Sequence, residues 1–170
     1  MLVGKSVNVE THLPSDREIA FTCTFQRRTG LLFEAWTSPK HLRQWWGCEG
    51  STITQCAIDL RVGGSWSLVM QMGDGSNHPF HGTYREIIRP TRLVYTEQYE
   101  MPKFGNPEWL TTVTFEKTPM GTRLTYVIQH KSRAIRDAHL QAGMQEGMAH
   151  TLTRLDQHTA TVESQSRRDG

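Results

Sequence analysis

The side chains that could take part in chemistry are spread along this sequence rather than gathered into one motif. The polar candidates are His81, Tyr84, Glu86, Glu97, Tyr126 and His130. A catalyst built from them needs an acid or base within reach of a bound molecule, its pKa moved toward neutrality by burial. His130 shares the inward parity of its strand with Tyr126, and a rim histidine bonded to backbone is its plainest role. Glu86 and Glu97 lie on consecutive strands, where an ion pair with Arg85 or Arg92 is the expected state rather than a carboxylate dyad. His78 and His81 have HxxH spacing, but in a hairpin strand residues three apart face opposite ways, so they do not form a metal site. His139, His150 and His158 are too widely spaced to cluster and are expected to face solvent. Cys23, Cys48 and Cys56 cannot all pair and form no CxxC, so they read as free thiols, with Cys48 after Trp45-Trp46-Gly47 as the candidate exposed one. No GxSxG, phosphate loop or dinucleotide fingerprint is present, and Gly63-Gly64 lacks both the phosphate-loop lysine and a following helix. No catalytic residue, metal ligand or cofactor is therefore assigned.

The apolar side chains are more suggestive. Five Trp and seven Met occur in 170 residues. Alternation places Trp66, Leu68 and Met70 on one face of a strand and Trp109 with Val113 on a later strand, while Met144 and Met148 point down from a helix. Methionine is flexible and polarizable, so such a wall can adapt to differently shaped apolar molecules. Trp45 and Trp46 project about 100° apart on a helix, so one can anchor the fold while the other faces a cavity mouth. The residues expected to line a binding cavity are Trp46, Trp66, Met70, Tyr84, Trp109, Tyr126, His130, Met144 and Met148. Val113, Phe115 and Leu155 are expected to be plain core.

Positioning these side chains needs elements that the periodicity supplies. Ile19, Phe21, Cys23 and Phe25 alternate with polar residues in a first strand over Arg17–Phe25. Thr29 can cap a short helix carrying Leu32 and Trp36, and Ser38-Pro39 starts a second, which Gly47 ends. From Ser51 to His130 short β-rich runs between turn signals read as an antiparallel meander: Thr52–Ile58, Ser65–Met72, Phe80–Ile88, Leu93–Tyr99, Trp109–Glu116 and Arg123–His130. After Ser132, Leu140, Met144, Met148, Leu152 and Leu155 mark one long helix of about thirty residues. Gly143 and Gly147 fall on its inner side, either for close packing or to leave a cavity. The fold class is thus α+β: a curved antiparallel sheet of about six or seven strands wrapped around a long C-terminal helix, with two short helices after the first strand. Residues 1–16 and 164–170 read as a flexible segment and a polar tail flanking one domain at 17–163.

The chain's length suits one domain that buries a substantial core, at about 150 residues per domain. Lys+Arg 19 against Asp+Glu 17 leaves a net charge of +2, too little for a phosphate-binding face, so nucleic acid is not an expected partner. No run nears the roughly 18 apolar residues of a membrane span, and the N-terminus lacks a signal-peptide profile, so no membrane association and a cytoplasmic location are expected. An open sheet leaves edges free, which allows a monomer or a homodimer.

The stretches FEAWTSPKHLRQWWG, RVGGSWSLVM, HGTYREIIRPTRLVYTE, GTRLTYVIQHKS and DAHLQAGMQEGMAHTLTRLD resemble the helix-grip proteins of the START-like superfamily. They are most similar to the branch named after the activator of the ninety-kilodalton heat-shock chaperone ATPase. The resemblance covers about Arg17 to Val162, with Thr29-Gly30 standing where members often carry Pro-Ala. It implies the helix-grip fold but no single chemistry, because the superfamily includes lipid carriers, hormone receptors, co-chaperone domains and aromatases/cyclases. The first expectation is binding of a hydrophobic or amphipathic small molecule between sheet and C-terminal helix. The second, implied by the branch, is a co-chaperone-like module contacting a chaperone in the stress response. The third, an enzyme of cyclase or hydrolase type in the same cavity, is less favoured and requires His130 or Glu86 to line it.

Overall fold

The computed structural model describes residues 6–170, and in it eight strands form one curved antiparallel sheet. The strands are β1 (Glu10–His12), β2 (Glu18–Phe25), β3 (Thr52–Ile58), β4 (Ser65–Gln71), β5 (Asn77–Ile88), β6 (Arg92–Tyr99), β7 (Glu108–Thr118) and β8 (Gly121–Gln129). Their order across the sheet is β1-β2-β8-β7-β6-β5-β4-β3. Strands β3 to β8 are a plain meander, so each hairpin signal in the sequence joins neighbours. The one long crossover, from β2 to the far edge at β3, is made by α1 (Thr29–Thr37) and α2 (Pro39–Trp45).

Those two helices lie over the concave face and are buried accordingly. α1 buries Leu31, Leu32, Phe33, Ala35, Trp36 and Thr37, and a helix apolar nearly all round is one covered on both sides. Pro39 occupies the first turn of α2, after Ser38 in the extended N-cap conformation. Thr29 does not cap α1: it is the first helical residue, and its Oγ1 pairs with Thr122 Oγ1 at 3.1 Å. The core joins Ile19, Phe21, Cys23 and Phe25 of β2 to Leu93, Val113, Phe115, Leu124 and Ile128 of the meander and to Leu152 and Leu155 of the last helix. Val113, Phe115 and Leu155 are core as expected.

Three expectations change. The sheet has eight strands because Glu10–His12, within the segment read as flexible, pairs with Thr22, Phe21 and Ala20 of β2; residues 1–5 of that segment lie outside the described residues. The C-terminal helix is two: α3 (Arg133–Gln141) and α4 (Met144–Arg168), joined through Gly143 at φ +88. Gly143 therefore neither packs closely nor lines a cavity; it takes the left-handed conformation that redirects the chain. Space around Gly147 is likewise open. The polar tail remains helical to Arg168, held by the 2.7 Å ion pair between Arg167 and Glu163 and by Arg27 between Asp156 and Glu163. No helix among the described residues is long and apolar enough to cross a membrane.

Candidate functional site

The concave face carries a cleft between α1–α2 and strands β3–β6. Trp36 and Leu42 form its helical side, and Ile58, Leu68 and Tyr84 its sheet side. Trp46 stands at one end, with Trp66, Tyr95 and Glu97 completing the lining. Alternation along β4 and β6 explains the sheet residues: Trp66 and Leu68, and Leu93, Tyr95 and Glu97, have the parity that faces the helices.

Each aromatic ring is fixed by a specific contact. The Trp66 indole N–H donates to the Thr96 carbonyl at 3.1 Å. It reaches that carbonyl across Gly82, its partner in register on β5, where any Cβ would collide with the same carbonyl and with the indole nitrogen. Trp36 donates to the Tyr95 hydroxyl at 3.1 Å, and Tyr95 meets Trp66 and Tyr84 edge-on at 5.7 and 5.9 Å. Edge-to-face pairs at this spacing add about 0.5–1.5 kcal/mol beyond their burial. The adjacent tryptophans divide the two roles between them. Trp45 is buried, donates to the Ala35 carbonyl at 2.9 Å and packs on Trp36 at 4.6 Å. Trp46, the C-cap of α2, is half-buried and rests edge-on against Phe80 at 5.0 Å.

Glu97 is the one carboxyl in the lining and is only 4% exposed. Burial pushes its pKa up to about 7. The Trp109 indole N–H, opposite in register, is directed at the carboxyl and pulls the other way, but the pair stops short of a well-formed hydrogen bond. Burial, with the Glu97 charge added, holds the Tyr95 and Tyr126 phenols well above their usual range. The cleft encloses about 20 Å³, the room one water occupies. A larger hollow of about 280 Å³ lies on the flank of α4 between Ala160 and Arg168; a single helix lines it, it opens to solvent and it gathers no buried polar group.

Of the nine residues expected to line a cavity, Trp46, Trp66 and Tyr84 do so. Tyr126 lies beneath the cleft, packed on Trp36 at 5.8 Å and Phe21 at 6.4 Å. Met144 and Met148 pack against the margin of the core without reaching the cleft, because α1 and α2 lie between α4 and this part of the sheet. Met70 faces the loop after α2. Trp109 and His130 belong to a second cluster: His130 Nε2 and His139 Nδ1 are 2.8 Å apart, and Trp109 packs on both rings at 5.7 and 5.2 Å. Burial lowers the pKa of both histidines, and the neighbouring His130 adds to it for His139, which falls to about 4.

Other polar expectations divide similarly. Glu86 is paired with Arg92 at 3.2 Å on the surface, as expected, but Glu97 has no cationic partner because it faces inward. His139 and His158 do not face solvent alone; His158 Nε2 meets His41 Nδ1 at 2.9 Å, linking α4 to α2. His78 bonds Tyr99 and His81 pairs with Glu100. Among the described residues no three His, Cys, Asp or Glu side chains group around a metal position. Neither His130 nor Glu86 lines the cleft, so the condition set for catalysis there is not met. Trp36, Leu42, Ile58, Leu68, Tyr95 and Glu97 are not among the nine residues expected from the sequence. The parity of Leu93, Tyr95 and Glu97 along β6 was the available signal; the helical side had none, since which face of α1 and α2 meets the sheet depends on the crossover.

Residues 28–160 match the family described as Activator of Hsp90 ATPase homolog 1-like protein. No curated protein matches the chain. Among solved structures, a protein from Rhodobacter sphaeroides is similar at 24% identity and a TM-score of 0.83, over 91% of this chain and 99% of that one. A protein from Nitrosomonas europaea is similar at 23% identity and a TM-score of 0.81, over 89% and 99%. An AHSA1-like protein from Aeromonas hydrophila aligns at 22% identity and a TM-score of 0.69, over 86% and 94%. These likenesses establish the fold.

Proposed function

The chain belongs to the family of activator of Hsp90 ATPase homolog 1-like proteins, and from that premise we propose that it binds a small amphipathic molecule in the aromatic cleft, with Glu97 receiving the polar end. The observation that carries this reading is Glu97: a carboxyl 4% exposed, without a cationic partner, at the wall of a cleft otherwise made of Trp, Tyr and aliphatic side chains. Isolated buried carboxyls are costly unless something satisfies them, and binding sites combine apolar walls with a few such orienting groups. At about 20 Å³ the cleft admits any larger occupant only by moving a wall. Trp46 is the wall able to move: it is half-buried, it ends α2 with its own backbone already extended (φ −69, ψ 141), and its ring rests against the half-buried Phe80.

Intrinsic tryptophan fluorescence and thermal shift against a panel of compact molecules, each with an aromatic or aliphatic body and one hydrogen-bonding head, test the reading. At least one class should raise the melting temperature and change the fluorescence. At pH 8, where the carboxyl is ionised, Glu97→Gln should weaken that binding about tenfold or more, as expected for loss of a charge-assisted hydrogen bond. A wholly silent panel, or equal binding by the variant, overturns it. The family description supports a second reading, contact with a chaperone ATPase, and retention of the chain by that immobilised chaperone alongside a silent panel would favour it.

A further inference from the structure

The loop that follows α2 brings three sulfur atoms together outside the cleft. Cys48 Sγ lies 3.5 Å from Met72 Sδ and 3.9 Å from Met70 Sδ. Met70 and Met72 are two apart along β4 and its extension, so their thioethers project to the same side, toward the loop. We propose that Cys48, Met70 and Met72 form a binding site for a soft monovalent metal ion, copper(I).

The spacing fits the chemistry. Sulfur ligands at about 2.3 Å from a metal in a trigonal plane stand about 4 Å from one another, by geometry from usual metal–thiolate lengths. Thiolate and thioether ligands select copper(I) over hard divalent ions. Charge fits as well: one thiolate and one monovalent cation sum to zero, so the half-buried loop needs no further counter-ion, whereas a divalent ion would leave a net positive charge. In the metal-free chain the Cys48 thiol donates weakly to the two thioethers. On binding, its proton leaves to solvent and the copper(I) ion takes that position, with no change in oxidation state.

The loop is also held in place before any metal arrives. Gly47 adopts φ +112, and a Cβ there would press on Ser51 Oγ at 2.6 Å and Met70 Sδ at 3.3 Å. Its carbonyl accepts from Thr151 Oγ1 of α4 at 2.9 Å, and the Cys48 carbonyl accepts from Ser51 Oγ at 2.6 Å. The backbone on either side of the cysteine is thus tied to α4 and to the start of β3. Preorganised ligands of this kind lose little entropy on binding.

Anaerobic titration of the full chain with copper(I) against a chromophoric copper(I) chelator tests the site. One equivalent should bind, and X-ray absorption should show three sulfur neighbours at about 2.2–2.3 Å with no nitrogen or oxygen, the soft-ligand signature. Cys48→Ser should weaken binding about 100-fold or more, while Met70→Leu and Met72→Leu should each weaken it about tenfold, since each removes one soft ligand at nearly constant volume. Cys56→Ser should bind as the wild type does. Unchanged affinity in Cys48→Ser, loss of binding in Cys56→Ser, or no effect of either leucine substitution overturns the site. Circular dichroism of each variant separates loss of ligand from loss of fold.

Discussion

Glu97 faces a conflict set by its position. Its neighbours on β6, Leu93 and Tyr95, share its inward parity, and the helices of the crossover close over all three. A carboxyl there is neutral in the folded chain up to about pH 7, while in the unfolded chain it ionises near 4.5. Between those values the unfolded state releases its proton first, so folding stability falls as pH rises and the penalty is complete above pH 7. Glu97→Gln removes that dependence. In denaturant titrations at pH 5 and pH 8, wild type should lose about 2–3 kcal/mol relative to the variant, the linkage value of a shift of this size. A constant difference between the two proteins at both pH values would mean that Glu97 is solvated in the folded state. Trp36, Trp45 and Trp66 have no such conflict, since each places its N–H on a named acceptor.

The closing helices are held by histidine pairs as well as by apolar packing. α4 fully buries only Leu152 and Leu155 among its apolar side chains, each contributing about 1.5–3 kcal/mol. Met144 and Met148 pack at the margin of the core, and its further ties are polar: His158 to His41 of α2, Thr151 to the Gly47 carbonyl, and Arg154 to the Gln44 carbonyl. α3 is tied by His139 on His130 and by Arg136, whose guanidinium donates to the Ser15 carbonyl at 2.6 Å. The pKa values of His130, His139 and His158 are all lowered by burial. The sign is opposite to that of Glu97: unfolded histidines protonate near 6.5 before the folded ones do, so this stabilisation is present above pH 6.5 and is lost as pH falls toward 4. His139→Gln keeps a polar partner for His130 and removes one titration. Its acid limb should be shallower than that of wild type by about 1–2 kcal/mol between pH 6.5 and 4.5, the linkage value reduced for partial exposure. Denaturation midpoints across that range measure it, and parallel limbs would dissociate the pair from acid stability. The sequence pointed to these helices through the spacing of Leu140, Met144, Met148, Leu152 and Leu155. The break at Gly143 was hidden because Ala142-Gly143 costs the apolar stripe nothing: the period runs through it.

Over the whole molecule the sheet is open, with β1 and β3 as its edges. Three residues of β1 cover β2, and Val7 and Val9 pack on the core beside them, with the Val7 N–H donating to Thr153 Oγ1 at 3.2 Å. A short strand over a long apolar one is a common way to blunt an edge. Deleting residues 1–13 should therefore lower stability by about 2 kcal/mol, from two half-buried valines and the lost pairing. It should also convert the chain to dimers or larger species, read by light scattering on a sizing column; an unchanged mass and melting temperature would show that β1 protects nothing. The α+β class, the order of elements, the seven strands from β2 to β8 and most of the core were legible in the sequence, because alternation and helical periodicity record which face of each element is buried. The cleft was legible only in part: Trp46, Trp66 and Tyr84 were expected there, whereas Met70, Met144, Met148, Trp109, Tyr126 and His130 lie elsewhere, and Glu97 was expected to pair with Arg85 or Arg92. Periodicity states that a residue faces inward but not what lies opposite. The path of α1 and α2 across the sheet decided that, by separating α4 from the cleft and by closing Glu97 among aromatic rings, and only the tertiary structure contains that path.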